Sequence, residues 1–179
     1  MLIQNFLKSK KKIKNMEKTI SEIKSLTIPL IQFLSILGII ILIQVIFKNQ
    51  FIVGTIINAL LIMSVIFLGL RQAIGIAIIP SLFSILTGMM PVVILPFVPC
   101  IIIGNLILVS TFNFLKDKNY LLGGILGSIL KFGFLFSISS LLFSFLPKGI
   151  LYAMSYPQLF TALMGTLLSF VILKAFKKI

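Results

Sequence analysis

The sequence predicts an all-α membrane protein with six transmembrane helices and with both termini in the cytoplasm. Of its 179 residues, 59% are hydrophobic and only 11% are charged, and the mean hydropathy is +1.22. So few charged residues cannot cover the surface of a soluble globule of this size. The charge is also one-sided, because 16 Lys and Arg stand against 3 Asp and Glu, for a net charge of +13. The positions of the basic residues predict the orientation of the chain in the membrane.

The first 25 residues form a basic segment that is predicted to remain in the cytoplasm. It holds seven lysines: Lys8, Lys10, Lys11, Lys12, Lys14, Lys18 and Lys24. A basic segment directly before an apolar run is typical of a cytoplasmic flank that contacts membrane lipid, and we prefer this interpretation to nucleic-acid binding. The apolar run Leu26–Phe47 is longer than a signal-peptide core and no cleavage pattern follows it. It is therefore predicted to be retained as the first span.

Five further apolar runs complete a six-helix transmembrane domain of residues 26–176, which is followed by a short cytoplasmic tail, residues 177–179. Each run approaches the length of about 20 residues that crosses the hydrocarbon core. The predicted spans are Phe51–Leu70, Ala73–Thr87, Val92–Leu115, Tyr120–Leu146 and Pro157–Phe176. The third is short and contains Pro80, which predicts a kink or tilt. An alternative fuses spans two and three, but such a helix would carry Arg71 at its middle.

The start of the fourth span is predicted to be irregular. Pro91, Pro96 and Pro99 lie close together there, and each proline removes an amide donor and clashes with the preceding turn. Irregular backbone at membrane depth is tolerated against protein or a wet cavity, and broken helices often line transport sites.

The distribution of basic residues supports this topology. With the N-terminus inside, thirteen of the sixteen fall in cytoplasmic segments, and only Lys48 and Lys148 lie outside. Such a bias follows the positive-inside rule. The remaining basic residue, Lys131, lies within the fifth span.

Lys131 is the one ionisable residue predicted deep in a span. The three acids, Glu17, Glu22 and Asp117, all lie in predicted cytoplasmic segments, so no carboxylate is available to it inside the membrane. Two interpretations stay open. In the first, Lys131 is neutral or hydrogen-bonds to backbone carbonyls. In the second, its partner is a ligand that is anionic or a strong hydrogen-bond acceptor.

Small residues predict which way Lys131 points. Gly123, Gly127 and Lys131 recur at every fourth position, and Thr161, Gly165 and Ser169 repeat the pattern in the last span. Such stripes allow a second helix to approach closely, so we expect both to face protein rather than lipid.

Amides in the neighbouring spans suggest a polar pocket around Lys131. Asn105 lies halfway along span four, and Gln158 follows Pro157 at the outer start of span six. Each amide alone is more often a helix-packing group than a ligand contact. Convergence of Asn105, Lys131 and Gln158 would form a pocket open to the outside, and the loop Pro147–Tyr156 would be placed to cover it.

Several kinds of chemistry are excluded by residues that the sequence lacks. There is no histidine, Cys100 is the single cysteine, and no phosphate-binding G-x-x-x-x-G-K-[ST] pattern occurs. Histidine catalysis, cysteine clusters and ATP hydrolysis by that route are therefore not expected. We expect a chain that is not an enzyme and that binds no metal or cofactor itself.

The chain resembles the substrate-binding S components of energy-coupling factor (ECF) transporters. The matching features are its size, the six spans, the basic N-terminus and a series of short motifs between residues 50 and 172. The motifs are Gly54 with Asn58-Ala59-Leu60, Gly69, Pro80, Gly88, Pro91, Pro96, Gly104-Asn105, Lys131 and Pro157-Gln158-Leu159.

The resemblance implies a function. It implies a subunit of a prokaryotic plasma membrane that binds a vitamin or related micronutrient from outside. It also implies partners, a transmembrane coupling protein and two cytoplasmic ABC ATPases, which use the ATP. The pocket would comprise Asn105, Lys131 and Gln158, joined by Asn58, with Lys131 neutralising a carboxylate or phosphate of the substrate.

One feature departs from the family pattern. Many S components meet the coupling protein through an alanine-x-x-x-alanine face on the first span, whereas here that span offers only Ser35 and Gly38, and Ala73 and Ala77 show the spacing in span three. Two other functions stay open: a membrane scaffold without ligand, and a small self-contained channel or carrier.

Overall fold

The computed structural model describes residues 2–87, 92–141 and 156–177, and within these ranges it contains helices and no strand. The α-helices are α1 (Leu2–Ile46), α2 (Gln50–Leu68), α3 (Leu70–Leu86), α4 (Val98–Leu115), α5 (Tyr120–Leu141) and α6 (Tyr156–Ala175). A 3-10 turn, Val92–Phe97, leads into α4. The prediction of an all-helical chain is confirmed for the described residues.

Five of these helices are long and apolar enough to cross a membrane. The exception is α3, whose 17 residues span about 26 Å, slightly less than the ~30 Å hydrocarbon core. Pro80 lies inside it. The structure therefore agrees with a multi-pass membrane protein whose third span is short.

Polar residues of the connecting segments begin two of the helices. The side chain of Asn49 accepts hydrogen bonds from the amides of Phe51 and Ile52, at 2.9 and 3.3 Å. Asn119 likewise accepts from the amide of Leu122 at 3.0 Å. Each asparagine satisfies amide groups that the first helical turn leaves free, so these short polar breaks fix where α2 and α5 start.

Gly69 separates α2 from α3. Its φ of +81° lies in the left-handed region, which glycine adopts without steric cost, and its amide closes α2 on the carbonyl of Val65. The alternative of one fused helix is therefore wrong. The predicted break at Arg71–Gln72 is also wrong by two residues, because the backbone turns at the glycine and Arg71 already belongs to α3.

The irregular start of span four is confirmed. Val92–Phe97 forms a 3-10 turn that contains Pro96, and the regular helix α4 begins only at Val98, with Pro99 in its first turn. Proline is tolerated there because the first helical amides have no partner within the helix. Pro91 lies outside the described residues.

The four helices α2, α6, α5 and α4 pack in this order around a shared interior, and α2 also contacts α4. α3 packs against α2 and α4, and α1 contacts α2 and α3 from the periphery. α1 buries mainly one narrow stripe, Ile36, Ile40 and Ile43, whose spacing of four and three residues places them on one face. The helix runs without interruption across the boundary at residue 25 that the sequence suggested between a basic segment and a membrane domain.

Candidate ligand site around Lys131

Lys131 lies in the interior of the bundle and is held by two asparagines from other helices. Its Nζ donates to Oδ1 of Asn58 on α2 at 2.7 Å and to Oδ1 of Asn105 on α4 at 2.8 Å. The side chain of Lys131 on α5 is only 3% exposed. Three helices thus meet at one amine group.

Further hydrogen bonds extend this group to α3 and α6. Nδ2 of Asn58 donates to the hydroxyl of Thr161 on α6 at 3.4 Å, and Nδ2 of Asn105 donates to the carbonyl of Ala77 on α3 at 3.5 Å. The hydroxyl of Thr161 in turn donates to the carbonyl of Gln158 at 3.2 Å. We call Lys131, Asn58, Asn105 and Thr161 the Lys131 cluster.

Glycines bring the helices of the cluster close together. A Cβ at Gly165 on α6 would lie 2.7 Å from Cβ of Asn58 and 2.9 Å from the amide nitrogen of Ala59. At Gly104 on α4 a Cβ would lie 3.4 Å from Cγ of Lys131. Close approach of this kind is characteristic of helix pairs in membranes, and here it sets the distance between the amides and the amine.

The two predicted small-residue stripes face protein, as expected. Gly123 and Gly127 of α5 lie against Phe112 and Leu108 of α4, on the stripe that leads to Lys131. In α6, Thr161 lies against Gly54 of α2, and Gly165 packs on the same helix.

The Lys131 cluster lies nearer to one end of the bundle. Asn58 is eight residues from the start of α2, Asn105 is seven from the start of α4 and Lys131 is ten from the end of α5. At 1.5 Å per residue these positions are about 10–15 Å below the helix ends. α5 ends and α4 and α6 begin at this end of the bundle. The predicted lid, Pro147–Tyr156, lies outside the described residues except for Tyr156.

Aromatic rings lie at the same end, next to the cluster in sequence. The ring centroid of Tyr156 is 5.9 Å from that of Phe132 and 6.5 Å from that of Phe136. Tyr156 is 58% exposed. Phe136 is also 41% exposed, so this aromatic group lies on the outer surface of the bundle at that end.

The groups that accept hydrogen bonds from the Lys131 amine are asparagine side-chain oxygens and not a carboxylate. Among the described residues, the acid nearest in sequence is Asp117, whose carboxylate pairs with Lys116 at 3.4 Å near the end of α4. A charged lysine has three N–H donors, and the described residues provide acceptors for two of them. Because both amide oxygens face Lys131, the groups left to meet a ligand are N–H donors, which suit a hydrogen-bond acceptor or an anion.

The structure brings together three of the four predicted site residues: Asn58, Asn105 and Lys131. Gln158 joins only through its backbone carbonyl, by way of Thr161, and its half-buried side chain makes none of the described hydrogen bonds. Sequence reasoning assigned Thr161 only to a packing stripe and missed its bond to Asn58. Its position three residues after Gln158, on the same face of α6, is the signal that would have placed it there.

A second polar region lies between α5 and α6 toward the opposite end of the bundle. The hydroxyl of Tyr120 donates to Ser169 at 2.7 Å, and the hydroxyls of Ser128 and Thr166 are 3.4 Å apart. We call these four residues the hydroxyl seam. Each of its three aliphatic hydroxyls also donates to a carbonyl three or four residues earlier in its own helix.

Neither region resembles a metal centre. No group of three His, Cys, Asp or Glu side chains occurs within the described ranges. Comparison of the chain with protein-family models, with curated proteins and with solved structures finds no match. The functional interpretation therefore depends on the geometry of the Lys131 cluster and on the resemblance stated above.

Proposed function

We propose that this chain is the substrate-binding S component of an ECF-type importer in a prokaryotic plasma membrane. It captures a vitamin or related micronutrient from outside and delivers it inward together with a coupling protein and two ABC ATPases that use the ATP. With both termini cytoplasmic, as the proposal requires, the end of the bundle nearer the Lys131 cluster would face outward.

The single observation that carries the proposal is the buried amine of Lys131, held by Asn58 and Asn105 at 2.7 and 2.8 Å. A lysine at membrane depth is costly and usually marks a functional site. Its amide partners orient it without neutralising it, so a carboxylate or phosphate of the substrate would supply the missing negative charge.

The coupling surface in this proposal is the lipid-facing side of α1. Ser35 and Gly38 are both exposed there, and a Cβ at Gly38 would meet nothing within 4 Å. By contrast Ala73 and Ala77, which carry the expected alanine spacing, are 0% and 1% exposed. Small residues on an open helix face allow a partner helix to approach closely, which supports α1 over α3.

Copurification tests the proposal. Tagged protein, gently extracted from its native membranes, is expected to retain a membrane coupling protein and two ATPases. The variant Gly38→Phe is expected to lose most of these partners while its own yield is unchanged. Gly133→Phe is the matched control, since Gly133 on α5 is also open. Purification of the wild-type chain without either class of partner would contradict the proposal.

A specific observation also favours a second function, that of a membrane scaffold without ligand. The amine of Lys131 and both asparagine amides find acceptors inside the bundle, as helix-packing groups do. A scaffold would copurify with neither ATPases nor a small molecule, so the same experiment separates the two functions.

A further inference from the structure

The N-terminal part of α1 extends well beyond a membrane crossing. α1 has 45 residues and is therefore about 67 Å long, whereas about 20 residues cross the ~30 Å hydrocarbon core. Among the side chains of α1 that the structure describes, the buried ones are Ile36, Ile40 and Ile43, near its C-terminal end. Residues 15–20, by contrast, are exposed throughout. We call residues 2–25 the N-terminal extension.

The N-terminal extension has one apolar face. Met16, Ile20 and Ile23 are 54%, 50% and 57% exposed, and their spacing of four and three residues places them on the same side of the helix. A row of uncovered apolar side chains outside the span requires something to cover it.

The N-terminal extension is strongly basic as a whole. It holds seven lysines against Glu17 and Glu22. By helical periodicity Lys18 lies opposite the apolar stripe, and Glu17 lies to one side of it. A basic helix with an apolar stripe is typical of segments that lie in the interface of an anionic membrane.

We propose that the N-terminal extension binds the anionic lipid surface on its own side of the membrane. The apolar stripe enters the boundary between headgroups and acyl chains, and the lysines reach the lipid phosphates. The proposal places the bend between span and extension at Pro29, which lies inside α1 and has no amide to donate to the preceding turn.

Two arguments favour lipid over a second copy of the chain or an acidic protein. Seven lysines on each copy repel one another when two extensions pair through their apolar stripes. The extension, in contrast, is joined through Pro29 to a span that lies in the bilayer, so the lipid surface is present at high effective concentration at all times. The proposal is independent of the Lys131 cluster and of any substrate.

Tryptophan fluorescence tests the proposal, because the chain has no tryptophan. Met16→Trp places a reporter on the apolar stripe, and Asn15→Trp places the control on the adjacent residue, which lies toward the polar side. Neighbouring residues differ by only about 1.5 Å along the helix axis. Any difference between them therefore reports the face of the helix and not the position along its axis.

The full chain is reconstituted in nanodiscs of phosphatidylcholine, with and without phosphatidylglycerol, using brominated acyl chains as quenchers. We expect the emission of Trp at 16 to be blue-shifted and quenched several-fold more than that of Trp at 15, and only with phosphatidylglycerol. Replacing Lys8, Lys10, Lys11, Lys12 and Lys14 together by Gln is expected to abolish this dependence.

Three outcomes overturn the proposal. Water-like emission at both positions in both lipids leaves the stripe uncovered by lipid and indicates an acidic protein as the occupant. A blue shift at position 16 without quenching by bromine, growing with the number of chains per disc, indicates a second copy. Equal quenching with and without phosphatidylglycerol removes the role of the lysines.

Discussion

The Lys131 cluster and the hydroxyl seam are both polar regions inside the same bundle, but they satisfy their hydrogen bonds differently. Lys131 donates to residues 73 and 26 positions away in the sequence. Ser128 and Thr166 each donate to a carbonyl four positions away in their own helix. The cluster therefore exists only when four helices are assembled, whereas most of the hydroxyl seam is already satisfied within single helices.

This difference distinguishes hydrogen bonds between helices from hydrogen bonds within one helix. A hydroxyl that donates to a carbonyl of its own helix costs little free energy to bury in the membrane. Such small side chains also allow α5 and α6 to approach closely. An amine held by amides from other helices carries a large cost if any one helix moves. We infer that a change in the cluster affects both assembly and ligand binding, and that a change in the seam affects neither strongly.

The largest effect is expected where α6 meets α2. Leucine at Gly165 would collide with Asn58 and with the backbone at Thr55 and Ala59, so the two helices must separate. We expect Gly165→Leu to lower the free energy of unfolding by about 3 kcal/mol, measured by SDS titration of the protein in mild detergent. Gly133→Leu is the control, because its new side chain meets open space and should leave stability unchanged.

The second largest effect is expected at Lys131 itself. Lys131→Met removes the donor from two buried amide oxygens, and we expect a loss of about 2 kcal/mol in the same titration. Adding Asn58→Leu and Asn105→Leu removes the stranded amides as well, and should recover most of that loss. If the triple variant is less stable than the single one, the cluster does not behave as one unit.

A smaller effect is expected at Tyr120, which donates the one short hydrogen bond of the hydroxyl seam that crosses between helices. Tyr120→Phe removes the 2.7 Å bond to Ser169 but keeps the edge-to-face contact with Phe112, whose ring centroid lies 4.9 Å away. We expect a loss of about 0.6 kcal/mol, the average for such bonds in membrane bundles. A loss as large as that of Lys131→Met would remove the distinction between the two regions.

The smallest effect is expected for Ser128→Ala. The hydroxyl of Ser128 donates to Gly124 at 2.7 Å within α5, and its contact with Thr166 is long, at 3.4 Å. We expect the free energy of unfolding to change by less than about 0.5 kcal/mol. This variant is therefore the matched control for Lys131→Met, since both alter a buried polar group on α5.

Much of the fold could be predicted from the sequence because apolar runs of spanning length leave few alternatives. The break between spans two and three was misplaced because the polar residues Arg71 and Gln72 are conspicuous in composition. The backbone turns at Gly69, because glycine adopts the positive φ that the turn requires. The conformational freedom of this residue, and not the polarity of its neighbours, sets the position of the break. The sequence did not show that one helix, α1, continues through residue 25, although lysine is a good helix former.

Three members of the Lys131 cluster, Asn58, Asn105 and Lys131, were named from the sequence, whereas Thr161 was missed and Gln158 contributes only its backbone carbonyl. The stripe through Gly123, Gly127 and Lys131 predicted the face on which Lys131 lies. Which asparagines it meets depends on how α2 and α4 pack around α5, and no local pattern contains that information. Asn58 in particular reaches the cluster because Gly165 lets α6 lie against α2, a contact between residues more than 100 positions apart.

The central claim, that Lys131 binds an anionic substrate, is tested most directly by mass spectrometry of small molecules retained through gentle purification. Wild-type protein, Lys131→Met and Ser128→Ala are purified in parallel from the same growth medium. We expect one small anionic compound at near-stoichiometric amount in the wild type and in Ser128→Ala, and at least tenfold less of it in Lys131→Met. The same compound at equal amount in all three proteins, or no retained compound in the wild type, would contradict the claim.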